Sequence, residues 1–179
     1  QWLDAAEKSY GVDKEVITAI ILVETRLGTY TGKSSVINIL ATLSAMADDA
    51  PRQVIWENLP DNDRRMSRQQ FEKKADRKSS WAYRELKAFL AYTEEQGMDP
   101  TTIRGSYAGA MGISQFMPSN IGRYAQDGDA DGKIDLFVHA DAISSIASYL
   151  KHYGWKPGIS REKAFKVVYH YNHSKYYVN

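Results

Sequence analysis

Apolar residues in this chain recur at helical spacing almost from end to end, and no segment alternates apolar with polar residues between hairpin turns. That period predicts an all-α (mainly α) fold. The length of 179 residues fits one domain with a sizeable core, so the expectation is a single domain over residues 1–179. Trp2 to Tyr10 reads as a first helix broken at Gly11. Asp13 can cap a second helix running to about Leu27 before Gly28, and a third covers Val36 to Ala47. From about 50 to 80 the character changes: Pro51 and Pro60 are followed by Arg64, Arg65, Arg68, Lys73, Lys74, Arg77 and Lys78 among Asp61, Asp63, Glu72 and Asp76. This stretch reads as a charged, solvated excursion. Helical pattern returns at Trp81, Tyr83, Leu86, Phe89 and Leu90 and stops at Gly97. Glycines 105, 109 and 112 mark an irregular loop, Pro118 can open a short helix, and two more helices cover Asp141 to Tyr153 and Ser160 to Tyr171.

The charge balance narrows the function classes. With 23 basic and 22 acidic residues the net charge is +1, too little for a global field that would recruit nucleic acid or an anionic membrane. No apolar run approaches the roughly 18 residues needed to span a bilayer, and the start at Gln1 and Trp2 has no signal-peptide pattern. The absence of cysteine excludes disulfides and Cys-ligated zinc without choosing a compartment.

The most informative helix is the second. Val16, Ile17, Ile20 and Ile21 form its apolar stripe, and Glu24 falls on the same stripe, four residues after Ile20 and three after Ile21. Burial and the negative end of the helix dipole both favour the protonated carboxyl. A carboxylic acid kept neutral near pH 7 is what a glycosidic oxygen needs as general acid. The helix alone leaves a second reading open, a buried glutamate paired with Arg26 or bonded to backbone.

A second cluster lies in DGDADGKIDLFVHAD. Asp127, Asp129 and Asp131 stand at alternate positions before Gly132, the opening of an EF-hand calcium loop, with Lys133 offering its backbone carbonyl at the seventh position. Val138 replaces the usual glutamate at the twelfth. Three carboxylates so close repel unless a cation neutralises them, which favours structural calcium over a solvated acidic turn.

Three strings together carry a resemblance. GVDKEVITAIILVETRLGTYTGK, GSYAGAMGISQFMPS and YNHSKYY resemble, in order, three motifs of lytic transglycosylases of the membrane-bound B type. The resemblance implies a lysozyme-like domain, Glu24 as catalytic acid, and Ser106 and Gln115 lining a groove beside it. It also implies Tyr171, Asn172 and Tyr177 at the active site, and Asp141 closing an enlarged EF-hand-like loop over 127–141. Read from the residues, Gln115 offers donor and acceptor to sugar groups, Tyr107, Phe116 and Met117 offer apolar faces to pyranose rings, and the glycines let backbone approach a ligand. Core packing remains an equal reading for Phe116 and Met117.

Glycosidases ordinarily use two carboxylates, and the other candidates, Asp48, Asp49 and Glu57, lie in polar surroundings. One suffices if the substrate supplies its own nucleophile. The expected reaction is cleavage of the β-1,4 bond between N-acetylmuramic acid and N-acetylglucosamine in peptidoglycan, closing a 1,6-anhydro ring. The implied setting is the periplasm or cell envelope. The implied assembly is a monomer with calcium, no organic cofactor and no nucleic-acid partner. The rivals are a lysozyme-like hydrolase, a calcium-dependent glycan-binding module without catalysis, and a polyanion binder using the basic residues of 64–78.

Overall fold

The computed structural model describes residues 1–60 and 66–178, and the charges read at Asp61, Asp63, Arg64 and Arg65 lie outside them. In chain order the elements are α1 (Trp2–Tyr10), α2 (Lys14–Thr25), β1 (Ser34–Ser35), α3 (Val36–Ala45), α4 (Asp49–Glu57), α5 (Arg68–Glu95), β2 (Arg104–Gly105), α6 (Pro118–Tyr124), α7 (His139–His152), α8 (Arg161–Tyr171) and α9 (Lys175–Val178). The fold is mostly helical. The sequence predicts no strand, whereas β1 and β2 pair antiparallel over two residues each, Ser34 opposite Gly105. Pairs that short have no alternation to read.

Contacts group the chain into two compact units interleaved in sequence: Gln1–Gly32, Met111–Phe116 and Asn120–Asn179 in one, Lys33–Ala110 and Met117–Ser119 in the other. In the first unit α1 packs on α7 and α2, and α7 on α8. Ile17, Ile20 and Ile21 of α2 are buried, as are Ile143, Ile146 and Leu150 of α7. Each such side chain contributes roughly 1.5–3 kcal/mol of hydrophobic stabilisation. Gly11 ends α1 at φ 69°, where a Cβ would lie 2.9 Å from Pro157. Helix α2 stops at Thr25, two residues before the predicted end, because Arg26 and Leu27 take left-handed backbone at φ 51° and 59°.

The second unit corrects the reading of residues 50–80. Most of the described part of that stretch is helical: α4 starts from Asp48, with Pro51 in its first turn, where an amide hydrogen has no helical partner to lose. Helix α5 begins at Arg68 and runs 28 residues. Ser67 and Gln70 form a capping box, each side chain accepting from the other's backbone N–H, at 3.2 and 2.8 Å. Phe71, Ala75, Ser79, Ala82, Glu85 and Phe89 make its buried stripe, and α3 packs against it. Arg52, 8% exposed, joins α4 to α5 through Glu72 at 2.7 Å and Asp76 at 2.8 Å, and also donates to the Met46 carbonyl. The charges lie around a stripe too sparse in large apolar residues to stand out in the sequence. Among the described residues no helix is long and apolar enough to cross a membrane.

Candidate active site

Glu24 sits in the last turn of α2, half-buried in the first unit. Burial pushes its carboxyl above the ordinary range, and hydrogen bonding with Tyr177 and then Asn172 pulls it part of the way back. The helix end works in the same direction as burial. Among the described residues no lysine or arginine forms an ion pair with Glu24, and Arg26 is exposed, so the paired-glutamate reading fails. Among the described residues, the side chains that bear on its ionisation, Tyr177 and Asn172, are neutral.

The closing motif supplies those neutral partners. Asn172 ends α8, and Tyr177 lies in α9. The Tyr177 hydroxyl is buried, makes no hydrogen bond of regular geometry among the described residues, and has its own pKa pushed up by burial and by Glu24. Tyr171 does a different job. Its hydroxyl donates to the Ser114 carbonyl at 2.5 Å, and its ring packs edge-on against Tyr149 at 5.0 Å. Tyr171 is thus a strut that joins α8 to the second motif, with its hydroxyl already engaged.

In that motif, Gln115 holds φ 50° and donates its amide to the carbonyls of Gly112 at 2.8 Å and Thr31 at 3.1 Å. Of the two roles expected of its amide, only the acceptor remains for a ligand. Phe116 is 2% exposed and packs on Tyr149 and Tyr171, so it belongs to the core. Neighbouring protein packs closely on the glycines. A Cβ at Gly105 would lie 2.3 Å from the Ala110 carbonyl, and one at Gly112 2.5 Å from Leu136. Ser106, Tyr107 and Met117 fall in the second unit. There the Ser106 hydroxyl accepts from the N–H groups of Ala108 at 3.2 Å and Ala110 at 3.1 Å, and Tyr107 is 89% exposed. Asp48, Asp49 and Glu57 are all exposed.

The acidic loop brings Asp127, Asp129 and Asp141 together, with one carboxylate oxygen of each inside a 4.8 Å span. Asp141 is 2% exposed, and its two oxygens accept from the N–H groups of Gly128 and Asp135, each at 2.7 Å. Burial pushes its carboxyl up, those two bonds pull it down, and Asp129 and Asp127 push it up again. A buried carboxylate facing two exposed ones is a hard-oxygen donor set suited to calcium. Asp131 stays outside this group and accepts from the Lys133 N–H at 2.8 Å; Lys133 itself is exposed.

Sequence reasoning passed over two residues. Thr25, fully buried, presents its hydroxyl to the Ile113 carbonyl at 3.2 Å and accepts from the Gly28 N–H at 3.0 Å. Glu85, buried in α5 of the second unit, accepts from both the N–H and the hydroxyl of Ser119, each at 2.8 Å. A threonine beside Glu24 on the buried stripe was the only hint of the first.

Comparison with known proteins adds a family and its relatives. The family described as Transglycosylase SLT domain matches residues 1–162. Membrane-bound lytic murein transglycosylase B of Escherichia coli (strain K12) is 38% identical over 156 residues, 87% of this chain and 36% of that protein. This chain therefore spans about a third of the curated relative. Soluble lytic transglycosylase SltB1 from Pseudomonas aeruginosa superposes with a TM-score of 0.77 at 30% identity, over 99% of this chain and 70% of that one. Escherichia coli lytic transglycosylase Slt35, in a structure containing calcium, gives 0.77 at 28% identity, over 99% and 66%.

Proposed function

The chain belongs to the transglycosylase SLT domain family, and on that premise we propose that it is a lytic transglycosylase of the cell envelope, acting in the periplasm on peptidoglycan glycan strands. The observation that carries the mechanism is Glu24, a half-buried carboxyl whose pKa burial raises and whose partners among the described residues, Tyr177 and Asn172, are neutral. It donates its proton to the glycosidic oxygen between N-acetylmuramic acid and N-acetylglucosamine as the bond from C1 to that oxygen breaks. Tyr177 and Asn172 then stabilise the carboxylate that is left. The substrate's N-acetyl group meets the developing cation, and the C6 hydroxyl attacks C1 while its proton returns to Glu24. Proton and bond counts balance without water, and the product ends in a 1,6-anhydro ring. A hydrolase would instead use a second carboxylate to activate water.

In this reading Gln115 accepts from a sugar group, and Ser106, Tyr107 and Met117 contact the glycan. Tyr171 holds the closing motif. Asp127, Asp129 and Asp141 hold calcium, with Asp131 and the Lys133 carbonyl as the further loop positions, and the ion's part is structural. Slt35 in complex with calcium supports the choice of ion. The working form is a monomer. Mass spectrometry of products from purified peptidoglycan tests the reading: muramic ends lighter by one water support it, and hydrated reducing ends overturn it in favour of hydrolysis.

A further inference from the structure

Arg26 and Leu27, directly after the helix that carries Glu24, are the only consecutive non-glycine residues at positive φ among those described, and Gly28 follows at φ 84°. Left-handed backbone is unfavourable for an ordinary residue, so such a turn persists only where its surroundings hold it. Its N–H groups are held locally: Arg26 donates to Leu22 at 3.0 Å, Leu27 to Ile21 at 3.2 Å, and Gly28 to Thr25 Oγ1 at 3.0 Å. The Leu27 carbonyl is held from elsewhere. His139 Nε2 lies 3.2 Å from it, and the imidazole covers Gly28 so closely that a Cβ there would sit 3.1 Å from the ring. A carbonyl can only accept, so Nε2 carries the proton in this contact. His139 opens α7, three residues after Leu136, whose carbonyl accepts from the Ile113 N–H at 2.7 Å. One short segment thus grips both the turn after Glu24 and the loop residue, Ile113, that Thr25 touches.

We propose that His139 is a positioning residue for Glu24, fixing the left-handed turn so that the last turn of α2 cannot fray and the carboxyl keeps its aim. This rests on the reading of Glu24 as general acid. Misplacing a reacting group by about 1 Å can lower turnover on the order of 100-fold, so a loosened turn is costly even with every reacting group present.

The test compares wild type with His139→Ala, which loses ring and donor, and His139→Gln, which keeps an N–H donor of similar reach. On soluble peptidoglycan fragments, His139→Ala lowers kcat about 10-fold or more with KM little changed, and His139→Gln recovers most of the loss. Hydrogen exchange at the Leu27 and Gly28 amides accelerates in His139→Ala alone. Should that variant fail to fold, His139→Phe keeps the ring over Gly28 without the donor and carries the same comparison. Wild-type kcat with unchanged amide exchange overturns the proposal. So does a loss that tracks weaker calcium binding and is cured by excess calcium, since His139 would then act through the acidic loop. If the wild type makes no anhydro ends the activity reading fails, while amide exchange, which needs no turnover, still decides the tether.

Discussion

The hydroxyl of Thr25, the residue after Glu24, lies 3.2 Å from the backbone carbonyl of Ile113, 88 residues away in sequence. Two motifs that look independent in the sequence therefore meet at a fully buried polar atom. Thr25→Val keeps the shape and leaves the Gly28 N–H and the Ile113 carbonyl short of a partner. The expected loss is about 1–3 kcal/mol in urea denaturation, largely recovered by Thr25→Ser. Equal stability of the valine variant would show that the contact carries no weight.

Glu24→Gln tests catalysis and stability together. Turnover should fall about 10²- to 10⁴-fold while glycan binding persists, measured by product release and by titration with soluble fragments. The stability effect follows from the raised pKa. The folded state holds its proton more tightly than the unfolded chain, so the favourable contribution is complete below the unfolded pKa and is lost as pH rises through the folded value. Above the unfolded value the unfolded chain gains from ionising Glu24 more than the folded state does, so the glutamate costs stability there. The glutamine variant should accordingly melt higher than wild type at pH 7, with the gain shrinking towards pH 4.

Calcium should raise the melting temperature, by about 2.7 kcal/mol of stability at a hundredfold excess over its dissociation constant. Asp129→Asn should abolish that shift, measured by calorimetry with and without chelator. In chelator the same variant should melt slightly above wild type, because Asp129 is a like charge that pushes the buried Asp141 up. A calcium shift that survives Asp129→Asn would move the ion elsewhere.

Glu85→Ala should destabilise the protein by roughly 1.5–3 kcal/mol, since both donors of Ser119 then lose a charged acceptor. Glu85→Gln, with one acceptor oxygen, should fall between. Chemical denaturation of the three proteins orders them.

The sequence by itself determined the helical class, the position of Glu24 on a buried stripe, the three motifs and the acidic loop. Each is a local property: helical period, cap residues and residue type at fixed spacing can be read without knowing what lies across the core. Even there local signals were overridden, as in α5, where a dense run of charges hid a capping box and a thin apolar stripe.

Only the tertiary structure decided which groups meet. Tyr177 and Asn172 act on Glu24 while Tyr171, from the same motif, bonds Ser114 instead; Asp141 joins Asp127 and Asp129 while Asp131 turns to backbone. Gly105 and Gly112 accommodate closely packed protein atoms, and His139 reaches the strained turn after the acid. These outcomes depend on how helices distant in sequence pack, and on which donors the backbone has already engaged. Side-chain spacing along the chain carries no record of either.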